Sequence, residues 1–228
     1  MRRHPRRGEA SRPVTGLPSA RGAEVGRRIG VGLMYGFWKP RVLGAWRMPT
    51  AGPVLLAVNH SHNIDGPMVM GVSPRPTHFL IKREAFVGPL DPFLTGIGQV
   101  KVDRNTTDRT AISRALGVLE QGGVLGIFPE GTRGEGDFAS LRAGLAYFAL
   151  RGGAPIVPVA VLGSSGQGGR LTKTLPPLRS RVDVVFGDPF DAGDGSGRRT
   201  RKALDEATER IQKQLTAHLE NARRLTGR

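Results

Sequence analysis

Hydrophobic positions along this chain fall into two regimes, short unbroken apolar runs and longer stretches with helical spacing. Val54-Leu55-Leu56-Ala57-Val58 follows Gly52-Pro53 and reads as a strand buried on both faces. It breaks into the polar turn Asn59-His60-Ser61-His62-Asn63. From Asp65 on, Gly66-Pro67-Met68-Val69-Met70 reads as the first turn of a helix, where proline is tolerated. Further strands are predicted at 78–82, 100–102, 124–128, 156–161 and 181–186. Pro158 argues that the strand at 156–161 lies at an edge or carries a bulge, because proline has no N–H to give a ladder. Between the strands, Ile112, Leu116 and Leu119 share one helical face, opened by Thr107-Asp108 and closed by Gly122-Gly123. A helix over 141–150 ends at Gly152-Gly153, and 198–224 carries Leu204, Ile211, Leu215 and Leu219 on one stripe. Residues 84–98 are broken by proline and glycine into an irregular stretch or a short helix. Strands alternating with helices predict an α/β fold, with a mainly parallel central sheet flanked by helices.

The first 47 residues do not follow this alternation. Residues 1–22, rich in Arg, Gly, Pro and Ser, read as a disordered basic tail. Residues 23–47 mix Ile29, Val31, Leu33, Met34, Tyr35, Phe37 and Trp38 with Gly, and are flanked by Arg27, Arg28, Lys39, Arg41 and Arg47. That is a basic amphipathic segment, with two readings: a helix lying among lipid headgroups, or a helix packed on the domain's own core. The folded domain is then expected over 48–228.

Charge separates the same regions. Residues 1–47 hold 11 basic and 2 acidic residues and residues 198–228 hold 9 and 4, while residues 48–197 nearly balance at 14 and 13. A nucleic-acid-binding domain would more often carry its excess on the folded face, so no nucleic-acid partner is expected. Basic flanks around a neutral centre fit an anionic membrane surface. No window approaches the roughly 18 consecutive apolar residues of a membrane span. The expected location is therefore peripheral, on the cytoplasmic face of the cell membrane. With no cysteine in the chain, a disulfide framework, thiolate zinc sites and an acyl-cysteine intermediate are all excluded.

Polar clusters follow several predicted strands: Asn59 to Asp65, Asp103-Arg104, Glu130 to Arg133, and Lys82 at the end of another. In an open parallel sheet these would share the carboxyl edge, where such folds bind ligands. His60 and Asp65 would point about 140° apart on one helix, so they meet only if the chain turns between them. A carboxylate holding one imidazole nitrogen leaves the other as a general base; the alternative is that Asp65 only caps the helix. Arginine forks and a lysine suit a phosphate. There is no G-x-S-x-G elbow, phosphate loop or dinucleotide fingerprint. A metal on His60, His62 and Asp65 lacks an evident further strong ligand, and none is expected.

Asn59-His60-Ser61-His62-Asn63-Ile64-Asp65 is similar to the N-H-x4-D motif of the glycerolipid acyltransferases, the family typified by 1-acylglycerol-3-phosphate (lysophosphatidate) acyltransferases. Gly98 with Arg104, Phe128-Pro129-Glu130-Gly131-Thr132-Arg133 and Val157-Pro158-Val159-Ala160 resemble that family's later motifs in order and spacing, over 54–160. The resemblance implies transfer of a fatty acyl group from acyl-CoA or acyl carrier protein, as co-substrate rather than cofactor, to a lysophospholipid. The expected acceptor is the sn-2 hydroxyl of 1-acylglycerol-3-phosphate, giving phosphatidate. His60 would be the base and Asp65 its orienter. Lys82, Arg104, Glu130, Gly131, Thr132 and Arg133 would form the substrate-binding set, with N–H groups near Gly131 facing the oxyanion. The motifs name the reaction better than the acceptor, so glycerol-3-phosphate, another lysophospholipid or a glycolipid remain alternatives. A non-catalytic anionic-lipid or nucleic-acid-binding protein is the alternative of another class. The intact His60–Asp65 pair argues against it.

Overall fold

The unbroken apolar run at Val54–Val58 needs cover on both faces, and it receives it. The computed structural model of the protein describes residues 16–131, 135–164, 175–193 and 200–228. In chain order its elements are α1 (Ala20–Phe37), β1 (Lys39–Leu43), β2 (Val54–Val58), α2 (Asp65–Val72), β3 (Thr77–Lys82), α3 (Leu90–Gly96) and β4 (Val100–Val102). There follow α4 (Arg109–Glu120), β5 (Val124–Ile127), α5 (Gly144–Gly152), β6 (Ile156–Leu162), β7 (Arg181–Phe186) and α6 (Arg201–Thr226). The sheet order is β1-β7-β6-β2-β5-β3-β4. From β6 to β4 all pairings are parallel, β7 is antiparallel to β6, and β1 is parallel to β7.

β2 is central, and its alternate side chains go to different cores. Leu55 and Ala57 join Leu145, Phe148, Ile211, Leu215 and Leu219 beneath α4, α5 and α6. Val54, Leu56 and Val58 join Met34, Met68, Val69 and Ile97 beneath α1 and α2. Because β2, β5, β3 and β4 are parallel neighbours, their carboxyl ends share one edge, and each is followed by one of the polar clusters.

Three expectations change. β6 is not an edge strand: it lies between β7 and β2. Ile156 donates its N–H to Phe190 on the β7 side, whereas β2 receives the alternate register, as in Asn59 N–H to the Val159 carbonyl. The missing N–H of Pro158 therefore falls on the β7 side, where the antiparallel ladder stops at Val159↔Phe186 and the chain is turning away. The sheet also begins before residue 48, at β1. Lys-Pro-Arg-Val-Leu shows no strand pattern of its own and becomes one by pairing with β7. Finally, helix α1 starts inside the segment expected to be a tail, because the Ser19 hydroxyl accepts the Gly22 N–H at 2.9 Å and caps it. Residues 1–15 of that expected tail lie outside the described residues.

Helix α1 packs on α2 through backbone rather than side chains. A Cβ at Gly71 would stand 2.6 Å from the Gly30 carbonyl carbon. Its inner face is Gly22, Ala23, Gly26, Gly30 and Met34, while Val25, Ile29, Leu33, Tyr35 and Phe37 are exposed. The helix is thus packed on the domain, and its outer face is apolar and exposed. The basic flanks are largely engaged: Arg27 and Arg28 with Glu24, Arg41 with Asp183, and Arg47 with Asp188.

Candidate active site

The turn between β2 and α2 is wound around one carboxylate. Asp65, the first residue of α2, is fully buried. Its Oδ2 accepts the His62 N–H at 2.6 Å and the Ser61 N–H at 2.9 Å, and lies 3.2 Å from His60 Nδ1. The capping role considered above does not apply: the cap position is Ile64, and Asp65 binds N–H groups that precede the helix. The amino end of α2 adds a favourable field for the negative charge. Donating Nδ1–H to Asp65 leaves the lone pair on Nε2 of His60. The ring is stacked on Phe128, with centroids 4.1 Å apart and planes at 25°, and Phe128 stacks in turn on Phe79 at 5.4 Å. Asn59 holds the root of the turn. Its side chain accepts the Val161 N–H at 2.7 Å and donates to the Val161 carbonyl at 3.1 Å, tying β2 to β6.

His60 faces a cavity of about 300 Å³. Its walls are mostly apolar (Met70, Phe79, Leu80, Ile81, Leu94, Ile97), and Lys82 and Arg104 bring the positive charge. The sheet edge therefore gathers His60, Asp65, Lys82 and Arg104 as the strand ends anticipated. Other expected members stand behind the wall. Arg104 donates to the Gly131 carbonyl. The Gly131 N–H is given to the Phe128 carbonyl at 3.0 Å, so of the N–H groups expected to face the oxyanion this one does not. Glu130 does not line the cavity; its carboxyl accepts the N–H of Phe138 at 3.3 Å and that of His60, bracing the two strand ends against each other. Thr132 and Arg133 lie outside the described residues.

Gly98, from the second motif, serves packing rather than substrate. Its φ is +73°, and a Cβ there would come within 2.6 Å of the Ser19 carbonyl oxygen. His78 hydrogen-bonds the Gly98 carbonyl at 2.6 Å through Nδ1, and burial holds its imidazole below the usual range, so it is a neutral structural residue. Phe128 figures in the sequence only as a strand end and as the first residue of a motif, and neither Phe128 nor Gln99 is given a role there. Nothing in a one-dimensional pattern marks Phe128 as the ring beneath a histidine on a neighbouring strand. Among the described residues, no three His, Asp or Glu side chains gather as a metal site would require.

Burial pushes the Glu130 carboxyl up, from 4.5 to about 7. Between those values the folded protein retains a proton that the unfolded chain has released. Stability is therefore expected to fall as pH rises from about 4.5 to about 7 and to level off above. Glu130→Gln should remove this component of the slope. Urea midpoints at pH 5 and pH 7.5 check it: an undiminished difference in the variant would show that another group is responsible.

A family model described as Acyltransferase matches residues 39–162, more than half of the chain. The chain belongs to the acyltransferase family. The match opens on the first residue of β1 and closes on the last of β6, so it takes in His60, Asp65, Lys82, Arg104 and Glu130. This acyltransferase is 28% identical over 183 residues to the 1-acyl-sn-glycerol-3-phosphate acyltransferase of Bacillus subtilis, covering 79% of this chain and 88% of that one. It is 27% identical over 146 residues to the enzyme of the same name from Streptococcus pneumoniae, covering 63% of this chain and 50% of the relative. Its fold is similar to the crystal structure of PlsC, the 1-acyl-sn-glycerophosphate (LPA) acyltransferase of Thermotoga maritima. The TM-score there is 0.64 at 22% identity, over 88% of this chain and 78% of that one.

Proposed function

We propose that this acyltransferase moves a fatty acyl group from acyl-CoA or acyl carrier protein to the sn-2 hydroxyl of 1-acylglycerol-3-phosphate, forming phosphatidate. The observation that carries the reading is His60, held by buried Asp65, lining one apolar cavity together with Lys82 and Arg104. The names of the Bacillus and Streptococcus relatives support the acceptor. His60 Nε2 takes the proton of the acceptor hydroxyl as its oxygen attacks the thioester carbonyl carbon, and Asp65 stabilises the imidazolium. The tetrahedral oxyanion collapses, the carbon–sulfur bond breaks, and the imidazolium returns the proton to the leaving thiolate. Thiolate is a good leaving group, so no enzyme nucleophile is needed. Lys82 and Arg104 hold the acceptor phosphate, joined by Arg133 through its motif position. Purified protein given oleoyl-CoA and lysophosphatidate should release free thiol. Inactivity with every lysophospholipid and glycerol phosphate, on both CoA and carrier-protein donors, would sink the reading.

The second part of the proposal is that the enzyme works peripherally, at an anionic membrane surface on the cytoplasmic face. Among the described residues no helix is long and apolar enough to cross a membrane. Val25, Ile29 and Leu33 follow one another at helical spacing on the outer face of α1, and Leu90 and Phe93 of α3 are exposed as well. Both chain ends carry the basic excess that an anionic leaflet attracts. Burying a large apolar side chain contributes about 1.5–3 kcal/mol. Val25→Ser, Ile29→Ser and Leu33→Ser together should therefore weaken partitioning onto anionic liposomes by more than about tenfold. The fold should survive, because these side chains face outward. Unchanged sedimentation with liposomes would remove α1 as the docking element.

A further inference from the structure

The β2–α2 turn separates two cavities of opposite character. His60 and Asn63 face the apolar one; Asn59 and Ser61 face the other, of about 660 Å³. The far wall of this second cavity is basic, formed by Arg181 at the start of β7, Arg223 of α6, and Arg228. Glu135 is the carboxylate that lines it among the described residues. The charge is built in. Arg181 and Arg228, with Arg41, converge on the fully buried Asp183 at 3.3, 2.9 and 2.6 Å, so three guanidinium groups share one carboxylate. Ser180 also lines this cavity, and its buried Oγ has no hydrogen-bond partner among the described residues. A local positive excess on this wall is suited to an anion with several acceptor oxygens.

A fatty acyl thioester has the same asymmetry. On one side of its carbonyl is an apolar chain; on the other is a polar pantetheine arm ending in phosphate. We propose that the Arg181–Arg223–Arg228 cavity binds the phosphate-bearing arm of the donor, while the acyl chain enters the apolar cavity and the carbonyl meets His60 between them. This rests on the acyl-transfer reading, which leaves the acceptor phosphate to Lys82 and Arg104.

The test compares wild-type enzyme with Arg223→Glu and with Arg223→Glu combined with Arg228→Gln. Arg223 is exposed on α6, so its replacement alone keeps the fold. The expected result is a KM for oleoyl-CoA raised about tenfold or more, with kcat at saturating donor and the KM for lysophosphatidate retained. Oleoyl-pantetheine, which has no phosphate, should be used equally by all three proteins. If oleoyl-phosphopantetheine and oleoyl carrier protein show the same rise, the bound group is the phosphate common to both donors. If only oleoyl-CoA does, it is a phosphate of the nucleotide. An unchanged donor KM, or a rise in the lysophosphatidate KM instead, overturns the proposal. Calorimetric titration with CoA separates the two readings. Arginine-dependent CoA binding without turnover under any condition would sink the activity and leave the cavity standing. Turnover with CoA binding indifferent to these arginines would do the reverse.

Discussion

Replacing His60 by alanine is expected to lower turnover by about 10²–10⁴-fold, the usual contribution of a positioned general base. The cost in stability should be small by comparison. The ring gives up one hydrogen bond to Asp65 and one stack on Phe128, together about 2 kcal/mol. In a chain of this length that lowers the melting midpoint by about 4–8 °C, far from unfolding it at assay temperature. Thiol release at saturating oleoyl-CoA and lysophosphatidate, measured beside a calorimetric melt, separates the two effects. A folded variant that kept turnover within threefold of wild type would remove His60 from the reaction.

Asp65 should divide into two roles according to how it is replaced. Its Oδ2 holds the His60 ring and also receives two backbone N–H groups of the turn. Asp65→Asn keeps a carbonyl oxygen of the same shape, so the turn persists, but a neutral amide neither fixes the ring tautomer nor stabilises an imidazolium. A fall in kcat on the order of 10³-fold with a nearly unchanged melt is expected. Asp65→Ala leaves the buried His62 N–H and the half-buried Ser61 N–H without their acceptor, the first alone at about 1–3 kcal/mol. Its melting midpoint should drop on the order of 10 °C, with activity lost as well. An Asn variant with wild-type kcat would reduce Asp65 to a structural bracket.

How much of this was legible beforehand varies with the kind of feature. The five-residue separation of His60 and Asp65 demanded a turn, and placing polar clusters after apolar runs anticipated a shared sheet edge. The structure shows both, because they follow from local geometry and from the parallel alternation of strands and helices. The same alternation brings Lys82 and Arg104 to the cavity. Glu130 and the Gly131 N–H come close to the cavity but turn their hydrogen bonds to the backbone. Whether a carboxyl faces a ligand or the backbone N–H of Phe138 depends on a segment eight residues further on. The stacking role of Phe128 is not legible in its motif, because its partner His60 follows a different strand.

The sequence by itself determined the α/β alternation, the burial of fully apolar β2 on both faces, the caps at Asp108 and Gly153, and the motif residues that identify an acyltransferase. Each of these is local, readable from periodicity or from a short fixed spacing. Only the tertiary structure decided that Lys39–Leu43 is a strand, since its pattern is silent and its partner is β7, some 140 residues away. It also decided that Pro158 sits inside the sheet, where β7 ends and asks for no N–H, and that α1 turns its small residues inward against Gly71. It alone placed Asp183 beneath three arginines from three different parts of the chain. Features like these depend on which distant segments meet, and a spacing rule carries no information about that.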